Sequence, residues 1–285
     1  MKINTLHKQD DNYPNILHDI DSPPKTIYYL GSKPTDLSPS LAVVGSRRPT
    51  PYGMEITKHL VEELASIGFT IISGLALGID GIAHLSTLEV KGRTIAVMPC
   101  GLDRIYPSSH LAVAREIVEN GGTLISEYKE GTPPLKQHFV ARNRLVSGLA
   151  DAVLVTEAAE KSGTLITVRF GLEQGKTILS VPGNITSPLS KGTNNLIKSG
   201  AQAVTSALDV LHAMGLESKN IKRQNIEALN GAEAQIISLL KKGITDSDEL
   251  RIKCELNINE FNSTLTMLEI TGRITSVGAN QWILK

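Results

Sequence analysis

The stretch LAVVGSRRPTPYGMEITKHLVEELASIGFTIISG, residues 41–74, decides the fold. It opens on an unbroken apolar run, turns at Gly45, carries apolar residues at helical spacing to Gly68, and closes on a second apolar run. A strand buried on one face alternates apolar and polar residues, whereas a strand buried on both faces reads as a continuous run. The unit is therefore strand, helix, strand, with both strands inside a sheet. The same rhythm continues in TIAVMP (94–99), GTLISE (122–127), DAVLVTE (151–157) and KTILSVPG (176–183). The segments between them have helical spacing and mostly end in Gly. This pattern predicts an α/β domain, a Rossmann-like parallel sheet with helices on both faces, over residues 41–215.

Residues 1–40 are rich in Pro, Asp and Tyr without clear periodicity and read as a lead-in segment. Residues 216–227 read as a linker. In residues 228–285, GAEAQIISLLKKG, TDSDELRIKC and NINEFNSTLTMLEITG read as three helices. Asp246 or Ser247 is placed to cap the second and Asn257 the third. RITSVGANQWIL then reads as two strands around a Gly-Ala-Asn turn, completing a winged-helix arrangement.

Composition narrows the function classes. The 285 residues hold 29 Lys+Arg and 29 Asp+Glu, so bulk charge makes no case for nucleic acid and any anion site must be local. Cys100 and Cys254 stand far apart with no CxxC, and no HExxH or clustered His/Cys set exists, so no metal or other cofactor is expected. No apolar run approaches the roughly 18–20 residues of a membrane span, and the N-terminal residues are too polar for a signal peptide. These features together predict a soluble cytoplasmic protein.

In an open parallel sheet, ligands bind beyond the carboxyl ends of the strands. GSRRPTPYG (45–53) places Arg47 and Arg48 there, either as an anion grip or as solvated side chains of a strand–helix joint. GLALGIDGIAH (74–84) is neither GxGxxG nor a Walker A loop. Its Gly74 and Gly78 admit either a ligand or close helix–sheet packing. Ser162, Gly163 and Thr164 open a helix, where free backbone N–H groups suit a phosphate or an ordinary cap. GTNNLIKSGA (192–201) adds Asn194 near the same edge. HFVARNRLVSGL (138–149) with Lys136 supplies cations and a flat aromatic, Phe139, which is the chemistry of single-strand binding. The other reading makes Phe139 core and pairs the arginines with acids such as Glu127. Glu127 and Glu157 are a conceivable carboxylate pair, but no nucleophile arrangement such as GxSxG accompanies them.

GSRRPTPYG, SGLALGIDGIAH, GLDRIYP, FVARNRLVSGL, EAAEKSGTLIT and GTNNLIKSGA resemble, in order and spacing, the motifs of the DNA-processing protein A family, DprA/Smf. The lead-in YPNILHDIDSPPKTIYYLG (13–31) and the tail are also similar to it. That resemblance implies a non-enzymatic single-stranded DNA-binding protein that dimerises and helps the recombinase RecA onto incoming strands coated with single-strand binding protein during natural transformation. It assigns the DNA pocket to Arg47, Lys136 and Phe139 and, by motif membership, to Arg142, Asn143, Arg144, Ser162, Gly163 and Asn194. It puts the homodimer surface near the end of the main domain, where SALDVLHAMGL (206–216) offers Leu208, Leu211 and Met214 at helical spacing. Many relatives begin with a helical SAM-like domain, for which the sequence before Tyr13 is too short.

The rival is a Rossmann-like nucleotide-binding enzyme that releases a base from a nucleoside monophosphate. Such enzymes carry a PGGxGT loop, and EKSGTLIT (160–167) lacks the double glycine. From Ser218 onward the chain has nine Lys/Arg and eight Asp/Glu, and the third tail helix has no Lys or Arg. A duplex-reading helix brings cations to phosphates, so the tail reads as a protein-contact or regulatory module.

Overall fold

The structure, a computed structural model, describes residues 2–216, 231–254, 256–270, 273–278 and 280–284. The chain divides into two compact units, residues 1–224 and 225–285. The linker read at 216–227 lies, beyond Leu216, outside the described residues.

The first unit is built on a sheet whose parallel strands are the apolar runs of the sequence: β3 (Ser40–Val44), β4 (Thr70–Ser73), β5 (Thr94–Met98), β6 (Thr123–Ser126), β7 (Ala152–Val155) and β8 (Thr177–Ser180). The strand order runs β6-β5-β4-β3-β7-β8, so the chain changes direction of growth between β3 and β7. Alternate residues of β3 explain why its run is apolar throughout. Leu41 and Val43 face the helices α1 (Pro51–Ser66) and α2 (Ile79–Glu89), packing with Leu60, Leu64 and Ile79. Ala42 and Val44 face the other way, toward Leu145 and Val146 of α4 (Lys136–Gly148) and Val168 of α5 (Thr164–Glu173). A third cluster joins Ala96 and Met98 of β5 to Ala114 and Ile117 of α3 (Leu111–Glu119).

The lead-in does more than trail along the surface. Its β1 (Asn4–His7) pairs antiparallel with β2 (Thr26–Gly31), and β2 pairs antiparallel with β6. At the far edge, the two-residue β9 (Gln202–Ala203) extends β8. Between β1 and β2, Leu17 and Ile20 are buried against the end of α4. A side-chain carbon added at Gly148 would lie 3.2 Å from Leu17 and 3.0 Å from Ile20. Tyr13 is buried beside them and donates its phenol hydrogen to the Pro24 carbonyl at 2.8 Å.

The helix α7 (Ala207–Ala213) corrects one expectation about the interface. Leu211 is 5% exposed and packs in the core with α1 and β8, and Met214 leans on the same cluster, while Leu208 is 48% exposed. Leu211 therefore holds the fold, Met214 is partly buried, and Leu208 is the most exposed of the three.

The second unit has the winged-helix order: α8 (Gly231–Lys241), α9 (Ser247–Cys254), α10 (Ile258–Ile270), then β10 (Ile274–Gly278) antiparallel to β11 (Gln281–Leu284). Ile236, Leu240, Leu250, Phe261, Leu265 and Leu268 form its core. Asp246 caps α9 by accepting the N–H groups of Asp248 and Glu249, and Asn257 caps α10 through the N–H of Glu260.

If the lead-in is part of the core, Leu17→Ala destabilises the protein by about 2–5 kcal/mol in chemical denaturation, the cost of emptying a buried leucine site. A surface lead-in would give a change within about 0.5 kcal/mol.

Candidate nucleic-acid interface

A cavity of about 400 Å3 opens at the carboxyl ends of β3, β4 and β7. This is the point where the sheet reverses its order of growth, the place where α/β sheets bind ligands. Arg47, Asp80, Phe139, Arg142, Asn143, Ser162 and Gly163 all line it. Three loops and one helix bring them together.

The first loop follows β3. The Ser46 N–H donates to the Glu157 carbonyl at 2.8 Å, and the Ser46 carbonyl accepts from Ile79 N–H at 3.1 Å. Glu157 is buried at the end of β7, and its carboxylate accepts the N–H and hydroxyl of Thr50, the residue that caps α1. A side-chain carbon at Gly45 would lie 2.6 Å from Ile79. The backbone is fixed on every side, so exposed Arg47 is presented from a rigid base. Glu157 is spent on this anchoring and Glu127 on an ion pair. Neither lines the cavity, so the carboxylate pairing considered from sequence does not arise there.

The second loop follows β4. Gly78 has a φ of 78°, in the left-handed region, and a side chain there would collide with the backbone of Ser46 and Arg47. Gly74 leaves room for the Arg142 guanidinium, which a side-chain carbon would meet at 2.3 Å. Of the two sequence readings of these glycines, close internal packing describes what they touch. Asp80 accepts the N–H groups of Gly74 (3.1 Å) and Ala76 (3.4 Å). Burial raises its pKa, opposed by the Arg142 charge and those two N–H groups.

The third loop opens α5. Ser162 accepts the Thr164 N–H at 3.2 Å, and the Thr164 hydroxyl donates to the Gly45 carbonyl at 2.9 Å. This ties the loop after β7 to the loop after β3, across the cavity mouth.

The helix α4 supplies the fourth wall. Phe139, Arg142, Asn143 and Val146 stand at i, i+3, i+4 and i+7 and form one face toward the cavity. Arg142 is 4% exposed and donates to the carbonyls of Gly74 and Val97 and, through Nε, to Asn143 at 3.2 Å. Burial lowers its pKa to about 10, opposed by Asp80, so it remains a cation at neutral pH. Phe139 is half-buried, with Tyr106 edge-on at 5.2 Å and the Arg47 guanidinium 5.9 Å from its ring centre. Tyr106, from the GLDRIYP stretch after β5, is thus the aromatic support of Phe139. Asp80 was not singled out by sequence, where an Asp inside a glycine-rich loop gives no sign of burial.

Three expected residues stand outside the cavity. Lys136 is exposed at the first turn of α4. Arg144 is two residues past Arg142, off the cavity face, and forms a 2.6 Å ion pair with Glu127. This is the pairing that the sequence left open. Asn194 spends its side chain on both the N–H and carbonyl of Gly183, at 3.1 and 3.0 Å. Among the described residues no group of His, Cys, Asp or Glu is arranged to hold a metal ion, and no helix is long and apolar enough to cross a membrane.

The chain is similar to known proteins. The model of the family described as DNA recombination-mediator protein A matches residues 4–215, and that of the DprA winged helix domain matches residues 221–280. The DNA processing protein DprA of Bacillus subtilis is 40% identical over 214 residues, covering 74% of this chain and 71% of that protein. Protein Smf of Escherichia coli is 48% identical over 171 residues, 60% of this chain and 46% of that protein. Among solved structures, DNA processing protein A from Helicobacter pylori, described for its single-stranded DNA binding mode, superposes with a TM-score of 0.68. Its identity is 37%, over 75% of this chain and 95% of that one. With family models matching residues 4–215 and 221–280 and a relative 40% identical over 214 residues, the chain belongs to the DprA/Smf family of DNA recombination-mediator proteins.

Proposed function

We propose that the cavity binds single-stranded DNA, and that the protein acts without catalysis as a mediator that helps RecA onto strands covered by single-strand binding protein during natural transformation, in the cytoplasm. The observation that carries this is the pairing of Phe139, half-exposed at the rim, with Arg47 beside it and the buried cation Arg142 below. An aromatic face takes any base, and neighbouring cations take the phosphates. Lys136 extends the positive charge at the start of α4. Asn143, Ser162 and Gly163 line the wall and Arg142 holds it in place, while Arg144 and Asn194, engaged with Glu127 and Gly183, stand outside it. For the nucleotide-hydrolase alternative, the acid that lines the cavity among the described residues is Asp80, and its carboxylate is engaged by the N–H groups of Gly74 and Ala76. A base-release assay on nucleoside monophosphates, giving no product, accompanies the binding measurements. Mediation itself is read as faster RecA filament growth on strands pre-coated with single-strand binding protein.

The homodimer is proposed to form on the α7 side through Leu208.

Stacking on Phe139 is worth roughly 1–3 kcal/mol per base. Phe139→Ala therefore binds a single strand about 5- to 150-fold more weakly by fluorescence anisotropy, with a melting temperature within a few degrees of the wild type. A collapse of the melting temperature with normal binding by the folded fraction would make Phe139 a core residue instead. Arg47→Ala flattens the dependence of log affinity on log salt by about 0.7, the share of one phosphate on a single strand; an unchanged slope removes Arg47 from the contact. Leu208→Arg yields a monomer by light scattering with unchanged circular dichroism, whereas a dimer of wild-type strength rejects this interface.

A further inference from the structure

The edge that holds the cavity continues past β7 to β8, and the loop after β8 leads into α6 (Lys191–Lys198). Gly192 seats the first turn of α6 directly on the loop after β7. Its N–H donates to the Ala158 carbonyl at 2.8 Å, and a side-chain carbon there would lie 2.6 Å from the carbonyls of Ala158 and Ala159. That loop has two sides. Ala159 and Lys161 line the Phe139 cavity, and Glu160 lines a second cavity of about 570 Å3 that also includes Lys191, Asn195 and Lys198. The two cavities share one wall.

Lys191, Asn195 and Lys198 are exposed at i, i+4 and i+7, one stripe of the helix. At 1.5 Å per residue, the two lysines stand about 10.5 Å apart along the axis. Neither has an ion-pair partner among the described residues, and the acid lining this cavity is the exposed Glu160. The lining contains no aromatic residue, so nothing here stacks a base. The helix is also tied to the loop after β8, because Asn194 is bonded twice to Gly183.

We propose that Lys191, Asn195 and Lys198 form a second, phosphate-binding stripe that carries a single strand onward from the Phe139 cavity. The inference rests on the single-strand reading above and adds direction to it. The strand leaves the stacking site over the loop after β7 and is gripped by its backbone alone, without regard to sequence. The cations bear on phosphates at least one nucleotide beyond the stacked base, so they matter only for strands long enough to reach them.

The test compares a labelled dT4 with a labelled dT12 at several salt concentrations, using the full chain and the variant Lys191→Glu/Lys198→Glu. The wild type is expected to bind dT12 more tightly than dT4. The variant keeps dT4 within twofold of the wild type, weakens dT12 at least tenfold, and lowers the dT12 salt slope by about 1.4, two single-strand contacts at about 0.7 each. Lys191→Gln/Lys198→Gln, which adds no negative charge at the helix end, shows the same length selectivity with a smaller loss. Wild-type affinity and slope on dT12 overturn the proposal, and so do equal losses on both lengths, which would mean that the lysines act at the cavity. Phe139→Ala on the same two strands reports on the cavity separately. If it binds both as the wild type does, the stacking reading fails whatever the lysines do.

Discussion

The guanidinium of Arg142 is the constraint on which the binding edge depends. Parallel strands end with carbonyls pointing past the sheet, and those groups need donors once they are covered. Arg142 supplies them to Gly74 and Val97, after β4 and within β5. Burying an ionised side chain carries a desolvation penalty of several kcal/mol, and here carbonyl dipoles and the nearby Asp80 carboxylate offset it. Once Arg142 is fixed, the rotation of α4 about its own axis is fixed as well. Phe139, three residues earlier, must then face the cavity, and Arg144, two residues later, must face Glu127.

The same economy governs the acids. Glu157 and Asp80 would draw notice in any search for a catalytic pair, yet both accept backbone N–H groups from the loops that frame the cavity. Their charge is used to hold loop shape. The loops after β3, β4 and β7 are connected to one another by Ser46, Thr50 and Thr164, so a ligand meets a surface that is already in position.

Much of this was legible in the chain. The strands β3 to β8 announce themselves because two-sided burial demands uninterrupted apolar runs, and the tail helices because Asp246 and Asn257 mark their starts. Arg47 and Phe139 were legible from residue type and position beyond a strand. Arg142 was not read as a buried strut, since three cationic or amide side chains in a row look alike until the helix phase is known. Leu208 and Leu211 are three residues apart, and spacing alone does not say which of them points inward. The lead-in strands escaped notice for a different reason. The partner of β2, β6, lies about a hundred residues away, and β1, which pairs with β2, is a short edge strand that tolerates the mixed residues of NTLH.

That distant pairing bears on how the molecule is made. Synthesis proceeds from the N-terminus, so β2 leaves the ribosome well before the strand it pairs with, Tyr28 waiting for Ser126. At 5–20 residues per second the interval is roughly five to twenty seconds. The central pair waits longer still, because Leu41 has no β7 neighbour until Ala152 has emerged. Contacts between distant segments form slowly, and in this sheet they are concentrated at the reversal between β3 and β7. The order of assembly therefore places the binding edge among the last features to be completed, after the α1–β4–α2 layer can already fold on itself. A nascent chain carries Leu17, Ile20 and Ile27, all buried in the finished fold, without their partners for that whole period.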